Sequence, residues 1–148
     1  TGLSPGALYH CRVRSQDAAG HVAVSADLTF TPASPDTTPP TGSVTINNGA
    51  TATNHPIVTL TLAATDNSGT VSQMQCSNDN VTYTTPEAYA TSKTWTLTSG
   101  DGTKTVYVKF SDPSGNWSTP VSDSINLDTT PPAITVTSPS DGAIYGPS

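Results

Sequence analysis

Over Val58–Ala64 the apolar residues Val58, Leu60, Leu62 and Ala64 alternate with Thr59, Thr61 and Ala63. A period of two sends alternate side chains to opposite faces of a strand, so this stretch predicts a strand with one face buried. The same period recurs four times downstream. In Lys104–Phe110 it turns Val106, Val108 and Phe110 inward and Tyr107 and Lys109 outward. In Val71–Cys76 it turns Met74 and Cys76 inward, in Lys93–Leu97 Trp95 and Leu97, and in Val121–Leu127 Ile125 and Leu127. Thr41–Ile46 reads as a first strand and Val81–Tyr83 as a short edge. Asp66-Asn67-Ser68-Gly69, Ser77-Asn78-Asp79-Asn80 and Gly100-Asp101-Gly102 are turn sequences, because Asp, Asn and Ser bond their own backbone and Gly accepts positive φ. Roughly seven short strands with turns every 8 to 12 residues, and no helical period, predict an all-β sandwich.

Nearer the N-terminus, Tyr9, Cys11, Val13 and Ser15 alternate with His10, Arg12 and Arg14, and Val22–Phe30 supplies a partner strand. Leu28 and Phe30 are its core candidates. Cys11 and Cys76 both fall on the apolar side and read as small buried thiols.

A duplicated pentapeptide organises the chain. Asp36-Thr37-Thr38-Pro39-Pro40 recurs as Asp128-Thr129-Thr130-Pro131-Pro132, 92 residues from Asp36 to Asp128. That spacing is close to the length of one immunoglobulin-like domain, about 100 residues. The paired prolines Pro39, Pro40, Pro131 and Pro132 fix φ and predict short stiff linkers. Residues 1–35 therefore read as the last two strands of one module, 36–128 as a whole module, and 129–148 as a linker and the first strand of a third.

Composition removes several classes of function. Of the 148 residues only 11% are charged, five of them basic, against 27 Thr and 18 Ser, and the net charge is -6. A nucleic-acid partner would need clustered Lys and Arg. No run of 18 apolar residues exists to insert in a membrane. The Thr and Ser belong on the solvent faces of strands and in turns.

Two stretches carry a family resemblance. Leu3-Ser4-Pro5-Gly6-Ala7-Leu8-Tyr9, followed by Cys11-Arg12-Val13-Arg14, resembles the tyrosine corner of fibronectin type III domains. The resemblance implies structural roles for Leu3, Pro5 and Tyr9, with the Tyr hydroxyl bonding the corner backbone. Tyr-x-Cys is also the spacing of immunoglobulin domains, in which Cys11 would bridge to an upstream strand. Residues 36–128 resemble the bacterial Ig-like repeats of large secreted and surface proteins. The likeness rests on the Asp-Thr-Thr-Pro-Pro linker, Val58–Ala64, Ser77-Asn78-Asp79 and Gly100–Val106. It implies an extracellular spacer, stalk or adhesion module whose partners are neighbouring Ig-like modules of the same chain and cell-surface glycans or proteins.

Candidate chemistry is sparse. With one Glu and ten Asp spread over turns, no paired carboxylates or nucleophile elbow stand out, and no catalytic residue is expected. Nor is a cofactor required. Calcium is the chemical alternative, since Asp and Asn oxygens suit it. Asp112, Asn116 and Asp128 are its first candidates, with Asp36, Asp66-Asn67, Asp79-Asn80 and Asp101 as further donors. A carbohydrate-binding accessory module of a secreted hydrolase is the other alternative. It would use exposed aromatics, Tyr107 and Trp117 first. Trp95 is expected to be structural.

Overall fold

The computed structural model describes residues 2–135. The third-module strand expected within residues 129–148 runs into residues 136–148, which lie outside the described residues.

Two sheets form the sandwich. The first has the order β10-β7-β5, with β5 at Thr41–Ile46, β7 at Ile57–Thr65 and β10 at Ser92–Thr96. The second has the order β6-β12-β11-β8-β9, with β6 at Ala52–Thr53, β8 at Gln73–Ser77, β9 at Glu87–Ala88, β11 at Gly102–Ser111 and β12 at Val121–Leu127. All pairings are antiparallel except β6 with β12. The alternation read from the sequence sets which face is buried. Val58, Leu60 and Leu62 of β7 and Val44 and Ile46 of β5 face Val106, Val108 and Phe110 of β11, joined by Met74, Cys76, Leu97, Ile125 and Leu127. This is an all-β, immunoglobulin-like sandwich; the strand pattern predicts the sandwich, and the family resemblance implies its type.

The first strand crosses from one sheet to the other. After β5 the chain turns through Asn47 and Asn48, at φ 46° and 57°, and joins the second sheet as β6. Asn tolerates this left-handed region better than other non-glycine residues. Its side chains also serve here: the Thr59 N–H donates to Asn47 Oδ1 at 2.9 Å, and the Thr61 hydroxyl to Asn48 Oδ1 at 3.3 Å. The Ile46 N–H donates to Asp123 Oδ2 of β12 at 2.8 Å, pinning the crossing point.

Two edges differ from expectation. Val81–Tyr83 is not a strand, and Val81 is 83% exposed. The Asp79 carboxylate accepts the N–H groups of Val81 and Thr82 and the Ser77 hydroxyl, so the segment coils around that side chain. The edge is instead β9, six residues on. Trp95, expected inward, is half-buried against the rim of the core, its indole N–H donating to Asn78 Oδ1 at 2.8 Å.

The N-terminal residues form two small ladders: β1 (Tyr9–Cys11) with β4 (Leu28–Phe30), and β2 (Arg14–Gln16) with β3 (Val22–Val24). The continuous strand expected over Tyr9–Ser15 breaks at Val13, whose N–H donates to the Ser25 hydroxyl. Leu28 and Phe30 are 63% and 46% exposed and Cys11 is exposed, which corrects the expectation that all three are core. The reason is architectural: among the described residues no second layer covers this face.

Candidate functional site

Pairing Thr41 with Thr65 and Ser111 with Gln73 gathers the start of β5, the end of β7, the start of β8 and the end of β11 at one end of the sandwich. The Asp66–Gly69 turn, the Asp112–Asn116 turn and the first linker meet there. Asp112 is 2% exposed. Its Oδ1 accepts the Asn116 N–H at 2.8 Å and its Oδ2 the Asn116 amide at 2.7 Å. Burial pushes its pKa up, but these bonds and the Gly115 and Ser114 N–H groups outweigh it and hold the carboxyl below its ordinary value. Asn116 Nδ2 also reaches the Asp36 carbonyl at 3.0 Å, and Asn67 Nδ2 reaches Asp36 Oδ1 at 3.1 Å. Asp66 Oδ2 accepts the Ser68 N–H at 2.8 Å. Carboxylate oxygens of Asp36, Asp66 and Asp112 lie within 4.8 Å of one another.

The second linker docks at the opposite end, where β12 finishes beside Gly102. Asp101 accepts the Thr129 N–H at 2.8 Å, the Thr129 hydroxyl at 2.7 Å and the Thr130 hydroxyl. The Thr130 hydroxyl, then the Thr129 N–H and hydroxyl, hold the Asp101 carboxyl down at about 2. Asp128 Oδ1 accepts the Thr130 N–H at 3.1 Å, as Asp36 Oδ1 accepts the Thr38 N–H at 3.0 Å. The repeated pentapeptide thus makes the same local turn twice, at opposite ends.

This placement corrects the grouping of Asp128 with Asp112 and Asn116. β12 runs antiparallel to β11, so its last residue is carried to the far end. Asp36 and Asp66 stand beside Asp112 instead. Both lie in turn sequences that resemble every other turn of the chain, and only the strand register reveals that they meet.

The aromatic candidates do not form one platform. Tyr107 and Trp117 are both half-buried. Trp117 pairs by an isolated bridge with Ser111, four residues along β11 from Tyr107, about 13 Å at strand rise. A different hollow, not expected from the sequence, is lined by Tyr83 and Trp95 together with Ser77, Asn78, Asp79 and Thr82. Lys109 lies over the Tyr83 ring at 4.3 Å. No local pattern marks it: Trp95, whose indole N–H donates to the Asn78 amide oxygen, is 17 residues away from that partner.

The structural candidates divide. Tyr9 takes the corner role: the Ser4 N–H donates to its hydroxyl at 2.6 Å, and its ring stacks on Phe30 at 5.8 Å. Pro5 lies in that turn, and the following Gly6 N–H bonds the Pro32 carbonyl at 2.8 Å. Leu3 is 53% exposed. Pro40 is buried at the entry to β5, whereas Pro39, Pro131 and Pro132 are exposed. His10 and Arg12 share Asp27, at 2.5 and 3.1 Å. Among the described residues no helix is long and apolar enough to cross a membrane.

No protein-family model matches the sequence, and no curated protein matches it. Among solved structures the chain is similar to the PKD1 domain of Vibrio anguillarum Epp, with 15% identity and a TM-score of 0.47, covering 64% of this chain and 100% of that one. It is also similar to the fibronectin(III)-like modules of Clostridium thermocellum CbhA, with 19% identity and a TM-score of 0.49 over 84% of this chain. It spans 64% of the length of that second structure.

Proposed function

We propose that this chain is a non-catalytic spacer or adhesion segment of a large secreted or cell-surface multidomain protein, and that its modules act in tandem. Residues 36–128 are the complete bacterial Ig-like module. Residues 1–35 belong to a preceding fibronectin type III-like module, and residues 129–148 lead into a following one. One observation carries this reading: the two copies of Asp-Thr-Thr-Pro-Pro are hydrogen-bonded to opposite ends of a single sandwich. A linker docked at each end transmits orientation from one module to the next, which a spacer needs and a freely tethered domain does not.

Small-angle X-ray scattering on two tandem copies of residues 36–132 tests it. The expected particle is extended, with a maximum dimension near twice that of one copy and little spread. A broad distribution that includes folded-back pairs would show free hinges and remove the basis of the spacer reading.

A further inference from the structure

The hollow that Tyr83 and Trp95 line has a volume of about 350 Å³ and draws its residues from the end of β8, the segment after it and β10. That is near the small end for ligand sites, about 300–1,000 Å³, room for a sugar unit rather than a folded partner. Both aromatic residues are half-buried, and their polar atoms are already engaged. The Trp95 indole N–H donates to Asn78 Oδ1 at 2.8 Å, and the Tyr83 hydroxyl to Asn80 Oδ1 at 2.6 Å. Asn78 is held in turn, its Nδ2 donating to the Thr96 carbonyl at 3.1 Å. The side chains are therefore oriented in advance, and what they offer a ligand is chiefly ring surface.

Charge narrows the ligand. Asp79 is exposed and accepts the Val81 and Thr82 N–H groups and the Ser77 hydroxyl on Oδ1 alone. Those bonds hold its carboxyl down at about 2, so it is ionised at neutral pH and an anion would meet a negative charge. A cation would meet two positive ones. Lys109 stands over the Tyr83 ring at 4.3 Å and Lys93 over Trp95 at 5.9 Å, so the places a cation would seek on these rings are taken. A neutral molecule avoids both repulsions. To use Asp79 Oδ2, which accepts none of those three bonds, it needs hydroxyl donors. To use the rings it needs a flat apolar face.

We propose that this hollow binds a neutral sugar, a β-linked oligosaccharide of glucose configuration, through Tyr83, Trp95 and Asp79. A glucopyranose carries its ring hydroxyls equatorially, so no axial hydroxyl interrupts the C–H groups on either side of the ring. Those C–H groups can lie on the aromatic rings while neighbouring hydroxyls donate to Asp79, the charge-assisted and stronger kind of hydrogen bond. The β linkage keeps successive rings in line, so a longer chain passes across the hollow without turning into the protein. The aromatic pair differs from Tyr107 and Trp117, which stand apart along β11. The site does not rest on the spacer reading, since none of its residues makes the hydrogen bonds that dock either linker.

Titration of the full chain with cellotetraose, a linear β-linked glucose oligomer, followed by two-dimensional amide NMR, tests it. The chain has two Trp, so the second indole N–H resonance is an internal control. With the sugar raised to about 20 mM, the Trp95 indole and the amides of residues 77–84 should shift with a Kd of about 1 mM, while the Trp117 indole stays in place. Tyr83→Ala should weaken binding about tenfold, and Asp79→Asn, whose Oδ1 can still accept the same three bonds, about fivefold. Oligomers of glucuronic acid and of protonated glucosamine should both bind several-fold more weakly than cellotetraose. No shift of any resonance would overturn the proposal, as would shifts centred on Tyr107 and Trp117. Unchanged affinity in a folded Tyr83→Ala would overturn it too, and should that variant not fold, the shift map of the unaltered chain decides alone. A charged oligomer that binds as well as cellotetraose would overturn the assignment of a neutral sugar.

Discussion

Gly42 marks a place where one atom decides the packing. A Cβ there would stand 2.5 Å from Phe110 Cε2 and 2.6 Å from the Ala63 carbonyl oxygen. The carbonyl belongs to the β5–β7 ladder and cannot withdraw. Gly42→Ala is therefore expected to destabilise the module by about 1–3 kcal/mol, read as a lower urea midpoint at unchanged slope. The two thiols make a second test. Burial pushes Cys76 up to about 11, while Cys11 is exposed. A disulfide-exchange reagent should titrate one thiol per native chain and two in guanidinium; two in the native state would contradict the packing of β8. At this scale the sequence told inward from outward correctly in β7, β8 and β11, because a complete second sheet enforces the alternation. It failed at Cys11, Leu28 and Phe30 for the complementary reason: periodicity reports which face is apolar, not whether anything covers it.

Turns rather than strands carry the strongest local electrostatics. Asp79 is held down at about 2 by the N–H groups of Val81 and Thr82 and the Ser77 hydroxyl, and Asp101 at about 2 by Thr130 and Thr129. Both carboxyls are more acidic folded than unfolded, where the ordinary value is 3.8. Their contribution is thus fully present above about pH 4 and lost as the pH falls from there towards 2. Urea midpoints should decline over that interval, and Asp101→Asn together with Asp79→Asn should flatten the decline; an unchanged slope in the double variant would refute the assignment. The same turn explains a misread element. Val81 and Tyr83 alternate with polar neighbours as an edge strand does, but Asp79 captures the backbone donors that a ladder would use. β6 was illegible for another reason: its two residues join the second sheet only because β5 crosses over at Asn47 and Asn48.

On the scale of the whole molecule, hydrogen exchange should separate two regions. Amides of β7, β8 and β11 lie over the buried core and are expected to exchange slowest, while those of β1–β4, on an uncovered face, should exchange within the dead time or soon after. Equal protection in both would mean that the N-terminal ladders are buried by something in solution. The two copies of Asp-Thr-Thr-Pro-Pro were legible as a repeat. Their docking was not, because it depends on loops 31 and 80 residues away in sequence, Asn67 and Asn116 with Asp36 among them. That docking also sets how the sandwich would answer a pull on its two ends. Tension applied through the two linkers pulls β5 out of one end and β12 out of the other, along the strand axes. The six residue pairs of β5 with β7 and the seven of β12 with β11 then share the force side by side and cannot open one at a time like a zipper. A chain built this way resists stretching up to a threshold and then yields in a single step.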